Sequence, residues 1–357
     1  MKNIRKISFS FALILLSFGQ TFAEDGNHTS IEKKKVVSKS FNVTSKDNLL
    51  IDNQFGSVKI NLWNKNEMRV DITITSNASS EEKAQNRLDA VDIVEKKNGD
   101  QFVFKTVMSE ERNSSKWNWA WNKKDDDKNS IQIDYVVSMP SNNALTVKNS
   151  FGNTSIPTFK APLVVVSKYG NFSANDLTGS KNDIDVAFGK ADIQQVENGK
   201  LEIEYSSLVL ERASTLSLIN KFGKFKIGDV DKIDGSVSYS GNSSIGSVKN
   251  ACKLKLSFSS GFKILQVPSS VENIDINASY SSVSLPMENN DCDFDVKVSY
   301  GSFRYSSDRK PTFTQNDDKR DDDDHGPRFT KQYIGKFGNG NGTKIKIVSS
   351  FGEVSFK

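Results

Sequence analysis

Residues 145–305 repeat one short unit, clearest at residues 216–230 as LSLINKFGKFKIGDV: an alternating apolar strand, an aromatic-Gly corner, then a second short strand. The aromatic recurs as Phe151, Tyr169, Phe188, Tyr205, Phe222, Tyr239, Phe258, Tyr280 and Tyr300, with gaps of 18, 19, 17, 17, 17, 19, 22 and 20. With the aromatic as position zero, apolar residues fall at minus four, minus two, zero, plus three, plus five and often plus eight. The Phe188 unit supplies Ile184, Val186, Phe188, Ala191, Ile193 and Val196, and the Tyr205 unit supplies Leu201, Ile203, Tyr205, Leu208, Leu210 and Ala213. Alternation by two turns one face of each strand inward. The switch from even to odd offsets after the aromatic means that the chain turns there.

Position plus one is Gly152, Gly170, Gly189, Gly223 or Gly301, or else Ser206, Ser240, Ser259 or Ser281. These residues suit a corner that needs positive φ or a side-chain hydrogen bond. One unit cannot bury its own apolar face, whereas stacked units share a continuous core. The expected fold is therefore mainly β: a single-chain β-solenoid, or β-helix, of roughly 18-residue two-strand coils. The corner aromatics are expected inside it as core packing, and the outward Lys, Asp, Glu, Asn and Ser as a solvated face.

Residues 1–23 carry Lys2, Arg5 and Lys6, an apolar run from Ile7 to Phe18, and Thr21-Phe22-Ala23 as a small-x-small cleavage site. This reads as a secretory signal peptide. No Cys follows the apolar run to take a lipid, and the mature chain offers no stretch long enough for a membrane span. Without the leader the net charge falls from +4 to about +1, so the basic balance does not point to nucleic acid.

Residues 24–40 are polar and read as a flexible segment, and residues 41–65 as the first solenoid strands, with Phe55-Gly56 at a corner and Trp63 beyond it. Residues 66–140 read as a small α+β insertion or cap that would cover unpaired strand edges. In it, Ser79 and Glu82 form a capping box for a helix reaching Leu88. Asn98-Gly99 marks a hairpin, and Ile131, Ile133, Tyr135 and Val137 alternate as a strand ending before Pro140. Trp117, Trp119 and Trp121 share one face if their segment is extended, and form the candidate contact strip if they are not packed on the rod. Repeats fill residues 141–305, an acidic and Gly-rich loop residues 306–344, and closing strands residues 345–357, where Phe351-Gly352 restates the corner.

Catalytic constellations are sparse. The two histidines, His28 and His325, lie outside the repeats. Asp321, Asp322, Asp323 and Asp324 lack the spacing of a calcium loop, so a solvated loop is the expectation, with neither metal nor cofactor. An enzyme of this shape would draw on outward carboxylates such as Asp185, Glu202, Glu204, Asp275 and Asp295. Cys252 and Cys292 stand two units apart, roughly 9.6 Å along a one-unit coil. That exceeds the reach of a disulfide, whereas a two-unit coil of about 36 residues would let them pair.

The LIDNQFGSVKI start (Leu50 to Ile60), the Trp63 strand, the Tyr135 to Pro140 strand end and the Phe/Tyr-Gly repeats resemble the putative adhesin β-solenoid family, exported bacterial envelope proteins related to autotransporter adhesin head domains. The resemblance implies a β-helical rod at the envelope, in the periplasm or on the cell surface, with no catalytic residues to carry over. The expected function is a non-enzymatic adhesin, binding or scaffold module for a glycan, cell-wall or protein ligand. The alternative is a carbohydrate-active β-helix enzyme, a polysaccharide lyase or hydrolase.

Overall fold

The computed structural model describes residues 30–108, 130–287, 290–319 and 329–357, which form two compact units meeting in sequence at Pro157 and Thr158. Both are mainly β, and among the described residues no helix is long and apolar enough to cross a membrane.

The first unit contains β1 (Ile31–Asn42), β2 (Asn48–Gln54), β3 (Val58–Trp63), β4 (Glu67–Ala78), α1 (Glu81–Asp89), β5 (Val91–Asn98), β6 (Gln101–Met108), β7 (Ser130–Pro140), β8 (Leu145–Ser150) and β9 (Thr154–Ile156). Residues 31–40, expected at the end of a loose segment, instead join Phe41 and Asn42 in a strand antiparallel to β4. Their alternation, with Val37 set against Ile72, was hidden by the lysines between, which blunt an exposed edge. The helix is present, but its N-cap is Ser80 rather than Ser79, and the Ser80 side chain accepts from the Lys83 N–H. Glu82 is therefore one position too early to close a capping box. The hairpin also forms, with Gly99 and Asp100 as its two loop residues and Gly99 at φ +59°.

Sequence order and spatial order differ in this unit. Strand β2 lies between β6 and β8, and β3 between β7 and β9, all parallel. A buried polar chain crosses these rungs: Tyr135 and Thr106 share a 2.9 Å hydrogen bond, Thr106 donates to Asn53 at 3.0 Å, and Asn53 donates to Asn149 at 3.2 Å. Burial pushes the Tyr135 phenol up to about 12.

The second unit contains β10 (Leu163–Lys168), β11 (Phe172–Leu177), β12 (Asn182–Ala187), β13 (Lys190–Glu204), β14 (Ser207–Lys221), β15 (Phe225–Ser238), β16 (Ser244–Ser257), β17 (Phe262–Gln266), β18 (Asn273–Ser279), β19 (Val283–Leu285), β20 (Cys292–Ser299), β21 (Ser302–Tyr305), β22 (Thr312–Asn316), β23 (Thr330–Phe337), β24 (Thr343–Ser350) and β25 (Glu353–Phe356). From the Tyr169 unit to the Tyr280 unit, each aromatic-centred unit pairs in parallel with the next, as Ile184 with Leu201 and Leu201 with Leu218, so one unit makes one register step there. Positions minus four, minus two, plus three, plus five and plus eight of the Phe188 and Tyr205 units are all buried. Asparagine also fits at minus two, where Asn53, Asn149 and Asn220 reach across the corner to the carbonyls of Gly56, Gly152 and Gly223.

The end of the chain departs from sequence order again. Strand β24 enters between β18 and β20, and β25 between β19 and β21, all parallel. The expected closing coil is thus an internal rung. Residues 306–344 are not one loop either, because β22 and β23 form an antiparallel hairpin whose second strand runs along β20. Phe313, Tyr333 and Phe337 of that hairpin join Phe294, Phe303 and Phe356 in one aromatic cluster. The inserted rung also places Cys252 and Cys292 three rungs apart, about 14 Å by strand spacing. Both are free and buried.

Candidate functional site

The corner aromatics are not core. All eleven, Phe55, Phe151, Tyr169, Phe188, Tyr205, Phe222, Tyr239, Phe258, Tyr280, Tyr300 and Phe351, adopt left-handed backbone with φ between 48 and 64°. In that conformation the side chain leaves the inward-outward alternation, and the rings of the second unit are 45 to 56% exposed. Glycine was expected to supply positive φ at position plus one, but the aromatic takes that conformation itself. Glycine is needed for close approach instead: a Cβ on Gly223 would sit 1.9 Å from the Ser206 carbonyl oxygen. Where serine replaces it, the hydroxyl closes the corner; Ser281 donates to the Ser279 carbonyl and accepts from the Ser259 N–H.

A left-handed non-glycine residue costs about 1–2 kcal/mol, and ring stacking offsets that cost. In the second unit the rings form one column, Tyr169, Phe188, Tyr205, Phe222, Tyr239, Phe258, Tyr280, Phe351, Tyr300 and Phe329, with successive centroids 4.7 to 5.1 Å apart. The spacing matches the distance between hydrogen-bonded strands, about 4.8 Å, so from Tyr169 to Tyr300 each ring lies within 5° of parallel to the next, while Phe329 is tilted by 22° on Tyr300. In the first unit Phe55 stacks on Phe151 at 5.3 Å. Tyrosine and phenylalanine alternate without exception along the ten-ring column, although Tyr280 and Tyr300 are consecutive in the sequence. Phe351, arriving with the inserted rung, separates them.

Because the rings face one another, ring edges form the exposed surface, with a phenol oxygen at every second position. Beside them runs a serine column in strict register, Ser238, Ser257, Ser279, Ser350 and Ser299. Over these five rungs the ribbon carries hydroxyls and ring edges with no charge in either flanking position. Repeated serine before the aromatic was legible in the sequence; its alignment into a column required the pairing register.

Solved structures similar to this chain include a "putative adhesin" from Bacteroides fragilis, at 8% identity and TM-score 0.33, covering 90% of this chain and 97% of that one. A "putative lipid binding protein" from Parabacteroides distasonis gives 11% and 0.38, covering 90% and 96%. A "putative adhesin" from Parabacteroides merdae gives 12% and 0.30, covering 90% and 96%. The chain is thus similar to adhesin-type proteins of known structure. No family model and no curated protein matches it.

The five carboxylates considered for catalysis fall into two groups. Asp275 and Asp295 are not neighbours, because Lys346 of the inserted strand stands in register between them. They belong to an outward row of alternating charge, Asp234, Lys253, Asp275, Lys346 and Asp295. Asp295 also accepts from the Gln332 side chain at 2.8 Å. The second group is closer knit. Asp185 is in register with Glu202, and burial, reinforced by the Glu202 carboxylate, holds the Asp185 carboxyl above the usual carboxylate range. Glu202 and Glu204 are both paired with Lys221. A lysine fixed on two carboxylates leaves neither as an unencumbered nucleophile or base.

Among the described residues, no group of three or more His, Cys, Asp or Glu is placed to hold a metal ion. Trp117, Trp119, Trp121, His28, His325 and Asp321 to Asp324 lie outside the described residues.

Proposed function

We propose that this chain is a non-enzymatic β-solenoid binding protein of the bacterial cell envelope, exported by the signal peptide at residues 1–23. The observation that carries the reading is the aromatic column. Nine rings held half-exposed at left-handed corners, with Phe329 stacked on the last of them, form a regular surface that solvent exposure alone does not explain. Parallel register steps of one unit each support the solenoid, with residues 66–140 as a cap on its strand edges.

The contact surface in this reading is the neutral ribbon of Tyr239, Phe258, Tyr280, Phe351 and Tyr300 with its serine column. Such a surface favours an uncharged, extended ligand such as a cell-wall glycan over an anionic polymer, because the residues directly before and after these five rings are serine or glycine and supply no cation to neutralise phosphate or carboxylate. Trp117, Trp119 and Trp121 enter the proposal as a second contact strip, from sequence alone.

The test is binding of the mature protein to purified cell-wall glycan and to an array of neutral and anionic glycans. A Tyr239→Gly/Phe258→Gly/Tyr280→Gly variant keeps the left-handed corners and removes the rings. A loss of at least about tenfold, or 1.4 kcal/mol, with an unchanged circular dichroism spectrum supports the ribbon. Undiminished binding by that variant sinks it, and Trp117→Ala/Trp119→Ala/Trp121→Ala then decides for or against the tryptophan strip.

A further inference from the structure

The insertion of β24 and β25 is the feature from which most follows. These strands touch the rest of the unit through pairing on both sides: Ile345 and Ile347 are in register with Ile274 and Ile276 of β18 and with Phe294 and Val296 of β20. Val354 is in register with Val283 on one side and Phe303 on the other. Strand β23 runs antiparallel along the outer side of β20, so β23 and β24 straddle it. The linker, residues 338–342, passes over the start of β20 with Gly338, Gly340 and Asn341 at positive φ. The Asn341 N–H donates to Asp293 there. A Cβ at Gly342 would lie 1.9 Å from the Asp291 carbonyl oxygen.

Two separate patterns are consistent only with the arm in place. Without it, Asp275 faces Asp295 and Tyr280 faces Tyr300. With it, charge alternates through Lys346, and Tyr and Phe alternate through Phe351. In the adjacent row Lys344 stands between Asn273 and Asp293. The gap between β18/β19 and β20/β21 is therefore specific for a strand with apolar residues at alternate positions, two outward lysines and a corner aromatic.

We propose that this gap is a strand-acceptor site, and that the C-terminal arm of one molecule fills the gap of a second copy of the chain. Every contact that the arm makes in its own molecule is reproduced when a second copy supplies it, so tether and concentration alone choose between the two. Reciprocal exchange closes a dimer, and one-way exchange propagates a chain of molecules. With an effective concentration on the order of 1 mM for the tethered arm, exchange should rise from about one molecule in a thousand near 1 μM to about one in ten near 100 μM.

The test uses two full-length variants, Asn273→Cys and Lys344→Cys, whose positions are in register across the β18–β24 pair. They are unfolded and refolded together under reducing conditions at several concentrations, then oxidised. A disulfide that joins one variant to the other and requires that they refold together forms where the arm of one enters the gap of its neighbour. The expected result is a mixed dimer that grows about a hundredfold over that concentration range and is missing when the two are mixed already folded.

No mixed dimer at any concentration, while the Asn273→Cys/Lys344→Cys double variant closes its disulfide within one chain, overturns the proposal. So does equal cross-linking of folded proteins, which marks random surface contact. Light scattering of the refolded wild type gives a readout independent of the cysteines, and a monomer at every concentration also overturns it.

Discussion

Phe222 is under opposed demands, a strained backbone and two stacked neighbours at 4.7 Å on either side. Phe222→Ala removes both stacking contacts, each about 0.5–1.5 kcal/mol, and keeps a Cβ at φ 54°. It is expected to destabilise the protein by about 2 kcal/mol. Phe222→Gly loses the same contacts but relieves the left-handed strain, so it should be more stable than the alanine variant by about 1 kcal/mol. Urea unfolding of the two side by side checks this, and an alanine variant at least as stable as the glycine variant would show that the conformation is not strained.

Asp185 makes the stability of the fold depend on pH. Its folded-state carboxyl lies above the ordinary value, so ionisation is disfavoured by folding, and the stability it contributes below the usual carboxylate range is lost as pH rises through the folded value. Asp185→Asn should therefore raise Tm at pH 7, with the gain shrinking toward zero below pH 3.8. Cys252 is fully buried. Burial, with Asp275 and Asp234 nearby, pushes its thiol up to about 12. Alkylation at pH 8 should be slowed on the order of a thousandfold relative to an ordinary thiol and restored in denaturant; rapid labelling of native protein would contradict the buried position.

Among the elements, the inserted strand is the most informative. Lys344→Asp/Lys346→Asp places like charges side by side in two rows, where each directly opposed like pair costs up to about 1 kcal/mol. The variant should unfold at lower urea, with part of the deficit recovered in about 1 M salt, where the Debye length is roughly 3 Å. A deficit indifferent to salt would assign the effect to lost side-chain packing instead. The same element shows why chain order misled. Asp275, Asp295 and Lys346 give two like charges followed by a counter-charge when read in sequence, and a stable alternation once the last strand has entered the middle. The loop at residues 338–342 has the composition of a flexible linker, and its Gly-Asn alternation also meets the requirement of stepping over a neighbouring strand with positive φ.

At the scale of the whole molecule, export is the proposal open to the simplest measurement. Mass spectrometry of protein recovered from the producing cell should find Glu24 as the first residue, and protease added to intact cells should degrade it if it is surface-displayed, sparing a periplasmic control. A chain retaining Met1 to Ala23 would remove the envelope reading, whatever the ribbon binds in isolation.

The repeat, the inward positions around Phe188 and Tyr205, the helix near Leu88 and the hairpin at Gly99 were legible because local periodicity encodes which side of a strand is buried. The direction of the corner aromatics was not, since their parity matched the inward set and only the left-handed backbone turns them out. A tyrosine at every second corner was the available hint, because a phenol repeated that often is a poor core residue. Nor could the sequence decide which strands are neighbours at either end, where β2 and β24 enter between strands that precede or follow them in the chain. Alternation is a property of one strand, whereas a column of stacked rings or alternating charges exists only between strands, and their order is fixed by long-range pairing.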